Sequence, residues 1–125
     1  MSSRNRLNRS ETGRAAEEAA AVYLQGRSYE IEARNWRCRT GELDLIAWDG
    51  SVLVFVEVRS RTSPSRFGTA VEAVTPLKCR QVRETAEVYL KMTGSYGSSV
   101  RFDVVAVTFG ADGSVRELKH IPGAF

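Results

Sequence analysis

Residues 41–59 constrain this chain most, because they form two apolar strand segments that carry carboxylates and are joined by Asp49-Gly50. This dipeptide favours a two-residue type I′ turn, so the segment predicts a β-hairpin in which Trp48 faces Ser51. Side chains alternate between the two faces of a strand, and directly opposite residues share a face. The predicted face carries Glu42, Asp44, Phe55, Glu57 and Arg59.

The carboxylates of this face predict a metal site. In the predicted register Asp44 and Glu57 are diagonal neighbours, with Cβ atoms about 7–8 Å apart or a little less. An unpaired charge among apolar residues is unfavourable, and Mg²⁺ or Mn²⁺ between the two carboxylates would remove that cost. In the alternative interpretation, Glu42 and Glu57 lie at the rim of the sheet and form ion pairs with Arg39, Arg59 or Arg61.

The motifs follow one another in a recognisable order. The hairpin reads Gly-Glu-x-Asp-Leu-Ile at 41–46 and Val-Phe-Val-Glu-Val-Arg-x-Arg at 54–61. The flanking motifs are Gly-x-x-x-Glu-x-x-Ala-x-x-Tyr-Leu at 13–24, Arg-Asn-Trp-Arg at 34–37, Phe-Gly at 67–68, Glu-Ala-Val at 72–74, Lys78 and Arg-Phe-Asp-Val-Val at 101–105. Across residues 11–108 this pattern resembles the YraN family of small bacterial proteins. That family is similar to the PD-(D/E)XK nucleases, especially the archaeal Holliday-junction resolvases.

The resemblance implies a restriction-endonuclease-like core and a Mg²⁺- or Mn²⁺-dependent activity on DNA, with branched DNA as one candidate substrate. It implies that Asp44 and Glu57 bind the metal and that Glu17 is a further acidic residue of the site. Resolvase-like relatives often act as dimers, so a homodimer is also compatible with the resemblance.

The motif's lysine position is occupied by Arg59, which is the one clear departure from the nuclease pattern. An arginine stays charged, so it can stabilise charge on a phosphate but cannot serve as a base. Two functions therefore stay open. The chain is either a metal-dependent endodeoxyribonuclease or a non-catalytic nucleic-acid-binding module that retains the nuclease fold.

Local charge supports a nucleic-acid partner more than overall charge does. The net charge of +3 arises entirely from three arginines in the first ten residues. Residues 59–83, in contrast, hold six cationic residues against Glu72 alone. Such a run beside an acidic hairpin suits a phosphate backbone next to a metal, although a solvated helix face has the same composition. The predicted nucleic-acid contacts are Arg61, Arg66, Lys78, Arg80 and Gln81.

Composition restricts the class of protein. The 125 residues fit one domain, and 42% hydrophobic residues exclude a disordered chain. No apolar run has the length of a membrane span, and the polar start does not resemble a secretory leader. Cys38 and Cys79 lack metal-ligand spacing, so we expect reduced, partly buried thiols in a cytoplasmic protein. Residues 1–10 are predicted as a disordered basic arm and residues 11–125 as a single nuclease-like domain.

The predicted architecture is an α/β domain with a mixed central sheet of about five strands flanked by helices. Helices are expected at 12–25 and at 76–92, the second with Thr75 as N-cap and Gly94 as its stop. Strands are expected at 28–36, in the hairpin, at 101–109 and at 114–121, with a mobile loop at 60–75. The second helix is predicted to pack through Cys79, Val82, Ala86 and Tyr89, and to turn away Lys78, Gln81 and Thr85.

Asp103 interrupts an apolar strand, and its role has two interpretations. It could be another acidic residue of the site, or it could belong to a buried hydrogen-bonded network. The second is preferred, because buried polar groups usually satisfy local hydrogen bonds.

Overall fold

The structure is a computed structural model that describes residues 9–62 and 74–125. Most of the predicted arm at 1–10 and of the predicted loop at 60–75 lies outside these residues. The first helix begins at Arg9, so the predicted arm is too long by two residues. In chain order the elements are α1 (Arg9–Gly26), β1 (Glu30–Cys38), β2 (Gly41–Asp49), β3 (Val52–Thr62), α2 (Pro76–Thr93), β4 (Ser99–Phe109) and β5 (Val115–Ile121).

The five strands form one mixed sheet in the order β1-β2-β3-β4-β5, which confirms the predicted α/β class. β3 and β4 are parallel, as a crossover through α2 requires, and the other neighbours are antiparallel. Each helix covers one face of the sheet. The α1 layer is built on Ala20, Leu24, Leu45, Val54, Val56 and Val105, and the α2 layer on Leu43, Ile46, Leu53, Phe55, Val82 and Tyr89.

No helix in the described part of the chain is long and apolar enough to cross a membrane. Cys38 and Cys79 are free and half-buried, as predicted.

The hairpin has a different register from the predicted one. Asp49 and Val52 form the last strand pair before the turn, so the two central turn residues are Gly50 and Ser51. Gly50 has a φ of 62° and Ser51 does not have positive φ, whereas a type I′ turn needs positive φ at both central residues. Positive φ at the first central residue alone is the pattern of type II′, in which glycine takes that position. The prediction that Trp48 faces Ser51 is therefore wrong, and Trp48 pairs with Leu53.

Helix α2 begins and ends where its capping residues predict. The Thr75 hydroxyl accepts a hydrogen bond from the Lys78 N–H at 3.1 Å, and Pro76 takes the first helical position. Gly94 closes the helix in the left-handed conformation with a φ of 70°. Both ends are therefore set by local sequence.

Thr75→Ala should lower the free energy of unfolding by about 1 kcal/mol, because the Lys78 N–H at the start of α2 would lose its capping partner. Thr75→Ser keeps the hydroxyl and is the matched control. Urea unfolding of the three proteins measures the effect. Equal stability of the alanine and serine variants would show that the cap contributes nothing.

The predicted outward side of α2 is partly wrong. Thr85 is fully buried, its hydroxyl donates to the Gln81 carbonyl at 2.9 Å, and it lies 3.0 Å from the Thr40 hydroxyl. Gln81 is exposed but donates to the Thr40 carbonyl at 3.3 Å. The cause is a close approach of α2 to the start of β2, where Gly41 has no Cβ. A Cβ at Gly41 would lie 3.0 Å from the Thr85 hydroxyl.

Asp103 belongs to a buried network, as the preferred interpretation held. Its carboxylate is fully buried, accepts hydrogen bonds from Arg101 and from the Gly123 N–H, and lies 2.8 Å from His120 Nε2. Burial acts to raise the pKa of Asp103, but the hydrogen bonds from Arg101, Gly123 and His120 outweigh it and hold that pKa below its usual range. Asp103 is thus satisfied within the fold.

Candidate metal centre and nucleic-acid interface

The acidic residues meet where two central strands separate. The β2–β3 ladder ends at the pair Leu45–Val56. Beyond it, β2 continues beside β1 and β3 continues beside β4. Asp44 and Glu57 are the first residues past the last pair, at facing positions of the continued register. We call this point the fork, defined by Asp44 on β2 and Glu57 on β3.

Asp44 is held at the fork by a backbone donor. Its Oδ2 accepts a hydrogen bond from the Val58 N–H at 2.8 Å, in place of the next backbone pair of the ladder. The contact uses one of the two carboxylate oxygens. The side chain is therefore oriented across the gap between the strands.

An irregularity in the neighbouring strands brings α1 to the same place. Leu43 packs in the α2 layer and Leu45 in the α1 layer, although residues two apart in a regular strand share a face. On β1, Asn35 has a left-handed φ of 50°, and its side chain hydrogen-bonds to Glu17 of α1. Asparagine tolerates this backbone conformation, and Asn35 also belongs to the Arg-Asn-Trp-Arg motif, but neither signal predicts its contact with Glu17.

The charges of the fork acids are unfavourable in the metal-free protein. Glu57 is 2% exposed, and burial, followed by the negative charge of Asp44, raises its pKa from 4.5 to about 7. Burial also raises the pKa of Asp44, against the opposing effects of the Val58 N–H and Lys78. The pKa of Glu17 is raised by burial and then by the charge of Asp44.

Clustered carboxylates predict pKa values raised by mutual repulsion, and the pKa values of Asp44 and Glu57 are raised, but burial is the main cause. Burial contributes more than repulsion between the carboxylates, which comes second for Glu57. A metal site open to substrate also predicts solvent-accessible carboxylates, and this prediction is wrong for Glu57, of which only 2% is exposed.

The cation that contacts Glu57 comes from α2. Lys78 Nζ lies 3.7 Å from Glu57 Oε1, and the lysine side chain is 34% exposed. Lys78 was predicted to turn away from the packed face and to contact nucleic acid, whereas the structure directs it to the fork. Lys78 precedes Val82 by four residues and therefore lies on the same side of the helix, so the prediction assigned it to the wrong side.

Arg59 does not make the ion pairs that were expected of it. Among the described residues no carboxylate lies within ion-pair distance of Arg59, and its Nε is buried without a hydrogen-bond partner. Its positive charge still lowers the pKa values of Asp44 and Glu57. Glu42 instead pairs with Arg37 at 3.4 Å. The rim alternative therefore fails for Glu57, which is buried and paired with a lysine.

The other predicted nucleic-acid contacts are dispersed. Arg61 lies on β3 two residues beyond Arg59 and is partly exposed. Arg80 is exposed on α2 and lines a cavity of about 380 Å³ together with Gln81. Arg66 lies outside the described residues. Only Lys78 among the described ones is in direct contact with a fork acid.

The donor set of the fork fits a magnesium or manganese ion with few protein ligands. Within residues 9–62 and 74–125, no group of three or more His, Cys, Asp or Glu side chains is arranged to hold a metal. Mg²⁺ is commonly bound through one or two carboxylates, with water and substrate phosphate completing its shell. Asp44 and Glu57 supply two carboxylates. A bound cation would also offset the cost of ionising the buried Glu57 carboxyl group.

Comparison with known sequences places the chain in a family. The model described as "Uncharacterised protein family UPF0102" matches residues 16–107, which include Glu17, Asp44, Glu57 and Lys78. A UPF0102 protein of Pelotomaculum thermopropionicum is 50% identical over 113 residues, or 90% of this chain and 93% of the relative. One of Symbiobacterium thermophilum is 52% identical over 104 residues, or 83% of this chain and 87% of the relative. One of Mycolicibacterium vanbaalenii is 47% identical over 116 residues, or 93% of this chain and 94% of the relative. The family indicated by the motifs is thus confirmed, and the chain belongs to the uncharacterised protein family UPF0102.

Proposed function

We propose that this protein is a metal-dependent nuclease that hydrolyses phosphodiester bonds in DNA. The observation that carries the proposal is the state of Glu57. Its carboxylate is 2% exposed and faces Asp44, and its pKa is raised to about 7. If Glu57 served only to form an ion pair with Lys78, the nearby carboxylate of Asp44 would not stabilise that pair. A divalent cation between the two carboxylates gives the arrangement a purpose.

Asp44 and Glu57 would hold the Mg²⁺ or Mn²⁺ ion, which when bound supplies Lewis-acid polarisation of the phosphate and a lowered pKa of water. The Val58 N–H keeps the Asp44 carboxylate in place, and Asn35 orients Glu17 at the α1 side. Hydrolysis forms a bond from a water oxygen to phosphorus and breaks the bond from phosphorus to the leaving sugar oxygen. The proton lost by the water is balanced by one gained on that oxygen.

The cationic residues around the fork suit the DNA backbone. Arg59 and Arg61 follow Glu57 on β3, Arg80 follows Lys78 on α2, and Arg66 follows β3 in the sequence. Phosphate contacts of this kind position a substrate without reading its sequence. Branched DNA is the first substrate to test and a homodimer the first assembly, both by the resemblance to resolvases. The proposed place of action is the cytoplasm.

Cleavage assays test the proposal. Labelled four-way junctions, linear duplexes and single strands are incubated with the protein over a range of Mg²⁺ and Mn²⁺ concentrations. We expect metal-dependent cleavage of at least one substrate by the wild type, and none by Asp44→Asn or Glu57→Gln. DNA binding without cleavage under every condition would refute the nuclease function.

A non-catalytic DNA-binding module is the second candidate, and one observation favours it. Lys78 already neutralises part of the charge of Glu57, and the lysine of the nuclease motif is replaced by Arg59. In that case DNA affinity would not respond to Mg²⁺, and Asp44→Asn would bind DNA as tightly as the wild type. The cleavage assay and the metal dependence of binding separate the two candidates.

Arg59→Ala should weaken DNA binding and reduce its salt dependence by about one phosphate contact, a change of ~0.9 in the log–log slope. The reason is that Arg59 has a buried Nε without a partner and can offer its guanidinium to a phosphate. Arg59→Lys should largely keep the affinity. Fluorescence anisotropy at a series of salt concentrations measures both, with Arg27→Ala as control, since Arg27 packs over Tyr23 at the end of α1. An unchanged affinity and slope in Arg59→Ala would make Arg59 a structural residue only.

A further inference from the structure

Two cationic side chains lie near the fork acids, and they differ in what they can reach. Arg59 is on β3, two residues after Glu57, and its Nε is buried without a hydrogen-bond partner. Lys78 comes from α2 and approaches Glu57 from above the sheet, with Nζ 3.7 Å from Oε1. The residue in contact with the buried carboxylate is therefore a lysine from α2. On β3 itself, the position where the nuclease motif has a lysine is occupied by Arg59.

The position of Lys78 is fixed by the fold. It is the third residue of α2, and its N–H is bound by the N-cap Thr75. About one and two turns further on, respectively, Gln81 and Thr85 contact Thr40 just before β2. The close approach of α2 to Gly41 leaves the helix little freedom to slide. The backbone of Lys78 is thus held over the fork by polar contacts on both sides.

The side chain of Lys78 keeps the freedom that a substrate-binding group needs. It is 34% exposed, while its partner Glu57 has a side chain 3% exposed. A lysine ammonium is a compact charge with three donors on a flexible stem, so it can leave one oxygen and contact another nearby. A distance of 3.7 Å is an ion-pair contact and is longer than a normal hydrogen bond, so little holds the ammonium in that place.

We propose that Lys78 supplies from α2 the lysine that β3 lacks at Arg59, and that its ammonium moves from Glu57 to a phosphate oxygen of bound DNA. This inference rests on the proposed nuclease function. In the metal-free protein the ammonium is the counter-charge of Glu57. With metal and DNA bound, the Lys78 ammonium stabilises the negative charge that develops on the phosphate being cleaved. In this proposal Lys78, and not Arg59, has the role of the motif's lysine.

Steady-state cleavage at varied DNA concentration gives the first test. Lys78→Met should lower kcat by about 100-fold, as the loss of one charge-stabilising donor does, and should leave KM nearly unchanged. Arg59→Lys alone is the reference for the double variant. The double variant Lys78→Met with Arg59→Lys should recover at least tenfold of the lost kcat. Lys91→Met, at the far end of the same helix, is the matched control.

Rescue by a lysine on another strand separates this role from a structural one, since a fold defect at α2 would not be repaired from β3. Lys78→Gln provides a second neutral variant if Lys78→Met unfolds. Cleavage by a folded neutral variant at the wild-type rate would overturn the inference, and so would a failure of Arg59→Lys to rescue.

Metal affinity without DNA gives the second test, with Mn²⁺ alone as the probe. Lys78→Met should bind Mn²⁺ about tenfold more tightly than the wild type at alkaline pH, because no like charge then competes for Glu57. Lys78→Arg should stay close to the wild type. Equal Mn²⁺ affinity in Lys78→Met and wild type would contradict the placement of Lys78 at the metal.

The two proposals fail differently. If the wild type cleaves no DNA while Lys78→Met binds Mn²⁺ more tightly, the nuclease function is wrong and the place of Lys78 beside the metal stands. If the wild type cleaves and the neutral variants of Lys78 cleave equally well, the nuclease function stands and the role of Lys78 is wrong.

Discussion

Asp44→Asn is expected to lower the affinity for Mn²⁺ by more than about 100-fold. Changing a residue that only supports a metal ligand already lowers metal affinity by about 10- to 100-fold, and Asp44 is proposed to bind the metal directly. Asparagine keeps the shape of the side chain and can still accept the hydrogen bond from the Val58 N–H. What it removes is one of two negative charges at the fork. Metal-dependent cleavage should be lost with the ion.

The same substitution should leave the metal-free protein as stable as the wild type or more stable. Burial already disfavours the charged form of Asp44 and raises its pKa, and the Asp44 charge in turn raises the pKa of Glu57. Removing that charge relieves both effects. A simple structural role for Asp44 predicts the opposite, namely a loss of stability.

Isothermal titration with Mn²⁺ and thermal unfolding without metal measure the two halves of this prediction. Asp112→Asn, in the exposed turn between β4 and β5, is the control for the loss of one carboxylate charge. Equal Mn²⁺ affinity in Asp44→Asn and wild type would end the metal hypothesis. Unchanged thermal stability together with lost Mn²⁺ binding would show that Asp44 is needed for the metal and not for folding.

The face of β3 could be predicted from sequence even though the register could not, but the prediction that Glu42 shares the face of Phe55 is wrong, because Leu43 packs in the layer of Phe55. The predicted and observed registers differ by an even number of residues, and such a shift keeps a side chain on its own face wherever the strand is regular. Asp44 and Glu57 therefore come together in either register, as diagonal neighbours in one and at facing positions in the other. The choice between registers was made by Gly50, which fits the first central position of a two-residue turn.

The role of Lys78 could not be predicted, because it depends on where α2 crosses the sheet. The pattern of Val82, Ala86 and Tyr89 defines the packed side of the helix correctly. It places Lys78, four residues before Val82, on this same side, but it does not reveal that the first turn extends over the fork and meets Glu57. The contact of Thr85 with Thr40 spans 45 residues and leaves no local signal.

The pairing of Asp103 with His120 is a long-range contact of the same kind. It joins β4 to β5 and closes a network with Arg101 that a sequence pattern can suggest only as one of two alternatives. Burial settles the choice, since Asp103 is fully enclosed and satisfied by several donors. The metal hypothesis therefore rests on the fork acids and needs no contribution from β4.

Glu57 should make the stability of the metal-free protein depend on pH. Its pKa is 4.5 in an ordinary environment and about 7 in the fold, so between these values the folded chain keeps a proton that the unfolded chain has lost. The folded state binds more protons in this window, and stability must fall as pH rises through it. Above the folded pKa both states are ionised and the loss is complete.

Glu57→Gln should remove this dependence and stabilise the metal-free protein by about 3 kcal/mol at most near pH 8, from about 1.4 kcal/mol for each pKa unit. Below the ordinary pKa of glutamate the variant and the wild type should be equally stable. Urea unfolding at a series of pH values measures the difference, and Glu30→Gln, an exposed position on β1, is the control. Added Mn²⁺ should restore the wild type at alkaline pH and leave Glu57→Gln unchanged, because only an ionised carboxylate at the fork binds the ion. If the free energy of unfolding of wild type and of Glu57→Gln changed with pH in the same way, ionising the buried Glu57 would cost no stability that a metal could restore.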